Sequence, residues 1–153
     1  MQSIKAPDGI QAEFPSVFLA GGITNCPDWQ SEVSTALGGL SITVLNPRRD
    51  VFPSTPGVGE EQIRWEFERL RSADLISFWF PKETLNPITL LEFGAAMERA
   101  TPLVVGIHPE YARKFDVEMQ MKLRRPDIKP IYSLTELTEA IRLFFENRAS
   151  HTR

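Results

Sequence analysis

Cysteine and histidine are scarce in this sequence, which has one cysteine, Cys26, and two histidines, His108 and His151. A single cysteine excludes an internal disulfide framework and is typical of proteins kept in a reducing compartment, so we predict a cytoplasmic location. The two histidines lie 43 residues apart, and neither forms a group with Cys26 that has metal-ligand spacing. The sequence therefore predicts no metal site and gives little support for a cysteine nucleophile.

Long apolar runs and a surplus of basic charge are also missing. No apolar stretch approaches the ~18 residues that a membrane-spanning helix needs, and the opening residues MQSIKAPDG lack the pattern of a signal peptide. The net charge of −3 indicates no basic surface for nucleic acid. We expect a single domain over residues 1–153, with residues 1–14 as a polar N-terminal arm, that binds neither membranes nor nucleic-acid polymers.

Three common catalytic and nucleotide-binding fingerprints are absent as well. The sequence contains no GxGxxG after its first strand, no GxxxxGK[ST] and no GxSxG. These absences argue against a dinucleotide fold, a P-loop and an α/β-hydrolase nucleophile. We therefore expect no cofactor.

What the sequence does contain is a series of short, uninterrupted apolar runs that alternate with helical patterns. The predicted strands are 17–20, 42–45, 75–80, 103–107 and 129–132. Strands of this kind are typical of a parallel sheet with helices on both faces. We predict a three-layer α/β/α fold whose five-stranded parallel sheet has the flavodoxin-like order 2-1-3-4-5.

The predicted helix over residues 60–72 places a carboxylate on an apolar stripe. Ile63, Phe67 and Leu70 recur at helical spacing, and Glu66 falls among them. Burying that carboxylate without a partner would be costly. Two interpretations stay open: an ion pair with Arg64 or Arg69, or a place in a functional site.

A second carboxylate, Glu92, follows the buried strand 75–80 and lies near the start of the helix that Pro87 begins. In open α/β sheets, ligands bind beyond the carboxyl ends of the strands, and a helix dipole there would favour an ionised nucleophile. Gly21 and Gly22 end the first strand at the same edge, as a tight turn or as a close approach to ligand. The alternative for Glu92 is a capping box with Thr89.

The segment from Asn46 to Gly59 is long for a loop in so compact a domain. Such loops often act as lids or binding loops, although a solvated excursion is the simpler interpretation. Its Arg48 and Arg49 either neutralise a phosphate or lie in water.

Several of these motifs, taken together, resemble the nucleoside 2-deoxyribosyltransferase superfamily, especially its small bacterial branch. The resemblance covers roughly residues 15–110 and is carried by VFLAGG at 17–22, Trp29, Asn46-Pro47, Trp65-Glu66, SAD at 72–74 and the stretch from Asn86 to LEFGAA at 91–96. The most specific part is LxxAD followed about 18 residues later by ExGxA.

The resemblance implies roles for the carboxylates. It makes Glu92 the nucleophile at the anomeric carbon and Asp74 the partner that binds and protonates the base. Many relatives have an aspartate where this chain has Asn86, which leaves proton donation to Asp74 or Glu66. Family members are homo-oligomers whose sites borrow residues from a neighbour, so the resemblance implies a dimer or larger assembly, with 111–120 as the donated segment.

The function implied is transfer of 2-deoxyribose between nucleobases through a covalent deoxyribosyl-Glu92 intermediate, with nucleosides and nucleobases as the binding partners. The alternatives are hydrolysis of 2′-deoxynucleoside 5′-monophosphates and a non-catalytic nucleotide-binding module. Trp65, Phe18 or Trp79 could stack the base, with Trp79 more typical of a core residue. The expected substrate-binding residues are Phe18, Gly21, Gly22, Trp29, Asn46, Gln62, Trp65, Asn86 and Tyr111.

Overall fold

A computed structural model describes residues 1–151 of the chain. Five parallel strands form one sheet in the order β1-β3-β2-β4-β5. The strands are β1 Gln2–Lys5, β2 Ser16–Gly21, β3 Thr43–Asn46, β4 Leu75–Phe80 and β5 Leu103–Ile107. The helices are α1 Trp29–Ala36, α2 Val58–Ser72, α3 Pro87–Met97, α4 Lys114–Arg124 and α5 Leu134–His151.

Helices cover both faces of the sheet, as the continuous apolar strands predict. All six residues of β4 are buried, because alternate side chains enter two separate cores. One core joins Phe78 and its neighbours to α2, α3 and α4, and the other joins Trp79 and its neighbours to α1 and α5. The predicted three-layer α/β/α fold with a flavodoxin-like sheet is confirmed.

Both edges of the sheet differ from the sequence prediction. Residues 2–5, predicted as part of a loose arm, form β1 and pair with β3; Ile4 is their one buried apolar side chain, so the segment alone carries almost no strand pattern. The predicted strand 129–132 is reduced to a single bridge between Ile131 and Gly106. Pro130 has no N–H to extend that pairing.

Helix α2 turns a different face inward from the one its apolar stripe predicts. Ile63 is 67% exposed and Phe67 is 61% exposed, whereas Gln62 and Trp65 are buried. The large indole of Trp65 packs against Phe18 of the sheet, with ring centroids 6.0 Å apart. This contact sets the rotation of α2, which leaves two large apolar side chains on the surface.

The helix ends follow local sequence rules. Asp28 caps α1, where its Oδ1 accepts a hydrogen bond from Ser31 N at 3.1 Å, and Ser133 Oγ accepts one from Glu136 N at 3.2 Å at the start of α5. Within residues 1–151 no helix combines the length and apolar character that crossing a bilayer requires.

Candidate active site

A cavity of about 570 Å³ opens at the carboxyl edge of the sheet, between α2 and α3. Ligands of open α/β folds bind at this edge. Its walls come from the turn after β2, the loop after β3 and the facing sides of the two helices. The lining residues are Ala20–Thr24, Pro47, Arg49, Phe52, Gly59, Gln62, Ile63, Glu66, Thr84, Asn86–Thr89 and Glu92.

Glu92 reaches this cavity because α3 begins at Pro87, which puts Glu92 in the second turn, one turn beyond Thr89 on the same side. The N-cap of the helix is Asn86. Thr89 therefore lies inside the helix, and the capping-box interpretation of Glu92 is wrong. Glu92 is partly buried and faces the cavity.

Glu66 of α2 lies opposite, and its carboxyl group is near enough to that of Glu92 for one shared proton to hydrogen-bond the two. Gln62, one turn earlier, donates to Glu66 Oε1 from its amide nitrogen at 2.7 Å. The predicted ion pair of Glu66 with Arg64 or Arg69 is wrong, because both arginines bind elsewhere. Arg64 pairs with Glu60 at 2.9 Å, and Arg69 donates to the carbonyl oxygens of 8 and 10.

The contact between two carboxyl groups changes their protonation. Burial, together with the adjacent Glu66 carboxylate, raises the pKa of Glu92 to about 8. Burial also raises the pKa of Glu66, against the opposing effects of the Gln62 hydrogen bond and the Arg49 charge. Two like charges this close cannot both ionise near neutral pH. The raised pKa favours a protonated Glu92 near neutral pH, against the expectation that the helix dipole keeps it ionised.

Gly22 is required by close packing within the cavity wall. A Cβ at this position would lie 2.2 Å from Asn86 Oδ1 and 2.6 Å from Cys26 Sγ. Gly22 thus lets the turn after β2 and the loop before α3 touch. Trp29 supports the same turn from beneath, where its Nε1 donates to Gly22 O at 3.0 Å.

Asn86 holds its own loop and offers no free group for catalysis. Its φ of 51° is left-handed, a conformation that asparagine tolerates better than most residues. Its Nδ2 donates to Thr84 O at 3.0 Å, and its Oδ1 accepts from Thr84 Oγ1 at 2.7 Å. Tyr111 fixes the same loop through a 2.7 Å hydrogen bond from its hydroxyl to Leu85 O.

Asp74 lies at the opposite edge of the sheet. It precedes the first residue of β4, whereas the cavity lies beyond the last, and the six residues between them span about 20 Å. Its Oδ2 accepts from Ser16 N at 2.8 Å, and its Oδ1 bonds Arg148 Nη1 at 3.2 Å. The structure therefore separates Asp74 from Glu92, and the prediction that Asp74 protonates the base is wrong.

Four of the predicted substrate-binding residues are structural supports. Phe18, Trp29, Asn46 and Trp65 are buried and do not line the cavity. Asn46 Oδ1 accepts from the backbone N–H of residue 48 at 2.9 Å, and Trp65 Nε1 donates to the carbonyl of residue 8 at 2.9 Å. Gly21, Gly22, Gln62 and Asn86 do line it. Tyr111 does not line the cavity but holds the loop 81–86 through its hydrogen bond to Leu85 O.

Sequence reasoning missed Phe52, which lies on the long loop after β3. It is 60% exposed and is the one aromatic side chain among the described residues that line the cavity. The guanidinium of Arg49 lies 5.4 Å from its ring centroid. The loop length indicated a binding loop, but no periodicity singled out this residue.

The two arginines on this loop bind different parts of the protein. Arg48 faces the turn after β2, where it donates to Gln30 Oε1 at 3.0 Å and to Pro27 O at 3.0 Å. Arg49 lines the cavity, but its guanidinium bonds Gln62 Oε1 at 2.6 Å and Glu61 Oε2 at 2.9 Å. Both arginines therefore bind protein groups.

The family described as nucleoside 2-deoxyribosyltransferase like matches residues 14–111, more than half of the chain. The chain belongs to this family. The matched span contains every residue that lines the cavity, including Glu66 and Glu92. The resemblance predicted from the sequence is thus confirmed.

One solved structure similar to this nucleoside 2-deoxyribosyltransferase-like chain is that of a conserved protein from Enterococcus faecalis V583. The two share 13% sequence identity with a TM-score of 0.61, over 85% of this chain and 98% of the other. At this identity the likeness concerns the fold alone. No curated protein sequence matches the chain.

Proposed function

We propose that this chain transfers 2-deoxyribose between the nucleobases of 2′-deoxynucleosides, with Glu92 as nucleophile and Glu66 as the acid and base. The observation that carries the proposal is the pair of adjacent, partly buried carboxyl groups in the cavity. Family membership supports nucleoside chemistry. Glycosyl transfer uses this combination, one carboxylate that attacks carbon and one that manages a proton.

The first half-reaction cleaves the glycosidic bond. A Glu92 oxygen bonds to C1′ while the bond from C1′ to the base nitrogen breaks, through a transition state with oxocarbenium character. The proton that leaves Glu92 passes to Glu66 along their hydrogen bond, and Glu66 delivers it to a ring nitrogen of the departing base. The products are a deoxyribosyl ester on Glu92 and a neutral free base.

The second half-reaction is the reverse with a new base. Its ring nitrogen attacks C1′ from the face that the first base left, its proton passes to Glu66, and the ester oxygen returns to Glu92. Two displacements retain the anomeric configuration. A 2′-hydroxyl withdraws electrons and destabilises the developing cation, which gives a chemical reason for a deoxy preference.

Hydrolysis of nucleoside monophosphates has less support. That reaction needs a group that binds the 5′-phosphate, and among the described residues that line the cavity Arg49 is the one cation. Its guanidinium already bonds Glu61 and Gln62. A purely nucleotide-binding module has no need for two carboxyl groups in contact, because their mutual repulsion is costly.

The test is base exchange between deoxyinosine and adenine, followed by chromatography. Appearance of deoxyadenosine supports transfer. Release of hypoxanthine with free deoxyribose would instead make the chain a hydrolase, and no turnover of either nucleosides or their monophosphates would make it a binding module.

Phe52 is the side chain that we expect to stack on the base, since an aromatic face holds any base with little selection. Phe52→Ala should raise KM for the nucleoside about tenfold or more, because such stacking is worth about 1–3 kcal/mol. The limiting rate should change much less. Steady-state kinetics of base exchange would measure both constants, with Phe14→Ala as the control, because Phe14 is an exposed phenylalanine that does not line the cavity. An unchanged KM would remove Phe52 from the binding site.

We also propose that the chain forms a homo-oligomer through an apolar patch beside the cavity mouth. We define the patch as Ile63, Phe67, Ile88 and Leu91, all at least 61% exposed. Ile63 and Ile88 also line the cavity, so the patch is continuous with its opening. Contiguous exposed apolar side chains mark interaction surfaces, and a second copy related by twofold symmetry would bury the same patch on both chains.

The cytoplasmic location stays a prediction from the single cysteine.

Leu91→Glu should therefore convert the assembly to monomers, because it would bury a charge against apolar side chains. Sedimentation velocity at a fixed protein concentration measures this change. Leu143→Glu, a half-exposed site on α5, is the control and should leave the assembly intact. A monomeric wild-type protein would refute the interface.

A further inference from the structure

Every polar group of the Gln62 side chain is engaged, in one fixed direction. Its Oε1 accepts from Arg49 Nε at 2.6 Å, and its Nε2 donates to Pro47 O at 2.8 Å and to Glu66 Oε1 at 2.7 Å. The residue is 9% exposed. We propose that Gln62 is a positioning residue that directs the shared proton of the carboxyl pair onto Glu92 and keeps Glu66 as the acceptor.

The direction of the amide follows from the chemistry of its partners. An arginine guanidinium only donates hydrogen bonds, and a backbone carbonyl only accepts them. Rotating the amide by 180° would set N–H against N–H at Arg49 and oxygen against oxygen at Pro47. Arg49 is itself held by Glu61 at 2.9 Å. The amide N–H is therefore always presented to Glu66.

This arrangement makes the two carboxyl groups unequal. Glu66 receives the N–H of Gln62 and faces the positive charge of Arg49. Within residues 1–151, the hydrogen bond that acts on the Glu92 carboxyl is the one with Glu66. A hydrogen bond to the charged form of a carboxyl group favours that form. The negative charge therefore settles on Glu66, and Glu92 carries the proton that it donates to Glu66.

The catalytic meaning of this arrangement rests on the proposed function. Glu66 begins each cycle ready to receive the proton that Glu92 loses as its oxygen bonds to C1′. The proton can then move along an existing hydrogen bond while the Glu92 oxygen attacks C1′. Gln62, first predicted to contact the substrate, acts instead through Glu66.

Among the residues that the structure describes, few charged groups face the pair. Arg49 comes from the loop after β3, and Glu61, from α2, is bound to it. Removing the Gln62 donor leaves the Arg49 charge and the hydrogen bond from Glu92 to stabilise the Glu66 carboxylate. The acid limb of the rate profile, where Glu66 takes up a proton, should therefore move to higher pH.

Gln62→Met keeps the length of the side chain and removes the donor. We expect the acid limb of the kcat profile to move up by about one to two pH units, since a hydrogen bond to a charged group is worth about 1.5–3 kcal/mol. The value of kcat should fall and KM should stay nearly unchanged. Gln62→Glu, which also presents no N–H, should move the limb in the same direction. Gln30→Met is the matched control, because Gln30 is a buried amide bonded to Arg48 and should leave the limb in place.

A measurement without substrate separates this inference from the proposed function. Carboxyl resonances of protein labelled with ¹³C-glutamate are titrated, with Glu66→Gln and Glu92→Gln used for assignment. We expect Glu66 to ionise at the lower pH in the wild type, and the gap between the two titrations to shrink in Gln62→Met. A wild-type protein without turnover would refute the proposed function, and the titration would still test the role of Gln62. An unmoved titration, or an unmoved acid limb with a raised KM, would overturn the role of Gln62.

Discussion

Replacing Glu92 by glutamine is expected to lower the rate of base exchange at least about 10⁴-fold, because loss of a catalytic nucleophile typically costs that much or more. The amide has nearly the shape of the carboxyl group, but it cannot form a stable ester with C1′. Its NH₂ can still donate to Glu66, so the cavity should keep its form. Deoxynucleoside binding should therefore change by less than about tenfold. Chromatography of the exchange reaction and calorimetric titration of deoxyinosine measure the two quantities.

The control for this experiment is Glu68→Gln, an exposed glutamate on α2 that does not line the cavity. It removes one negative charge from the same region and should leave exchange within about twofold of the wild type. Acid-quenched wild-type protein should carry a deoxyribosyl group on the peptide that contains Glu92, as seen by mass spectrometry. Retention of a tenth or more of the activity in Glu92→Gln would reject Glu92 as the nucleophile and direct attention to Glu66.

The sequence alone predicted the fold well where local patterns are strong. The run 75–80 was predicted as a doubly buried strand, and β4 occupies the same residues. Pro87 was predicted at the first position of a helix, and α3 begins there. In both places an apolar run or a restricted backbone decides the structure within a few residues. The strand β1 lacked any such pattern, because its formation depends on the open edge of β3.

The site was harder to predict because it depends on the end of the strand at which each residue lies and on the rotation of each helix. Asp74 and Glu92 flank the same strand, but they lie at its opposite ends. The sequence did indicate this separation, since ligands of open α/β sheets bind at the carboxyl ends of the strands and Asp74 precedes its strand. The partnership of Glu66 with Glu92 was one of two alternatives that the sequence left open for Glu66. It depends on the rotation of α2, which is set by the packing of Trp65 on Phe18. The apolar stripe that includes Ile63 predicted a different rotation, in which Ile63 is buried.

The glutamate that we propose as nucleophile should also cost stability at alkaline pH. The pKa of Glu92 is about 8 in the folded protein and 4.5 for an ordinary glutamate. Between these values the folded state holds a proton that the unfolded state has released. The free energy of unfolding therefore falls as pH rises through this window. The difference corresponds to an upper bound on the order of 5 kcal/mol, and the raised pKa of Glu66 acts in the same direction.

Glu92→Gln cannot ionise, so we expect it to remove most of this pH dependence. The variant should match the wild type within about 1 kcal/mol at pH 4.5, where Glu92 is protonated, and should exceed it by several kcal/mol at pH 9. Urea denaturation at a fixed protein concentration measures both differences, with Glu68→Gln as the control. Parallel stability curves for wild type and variant would mean that Glu92 titrates normally. The paired carboxyl groups would then carry two charges at neutral pH and lack the proton that the departing base requires.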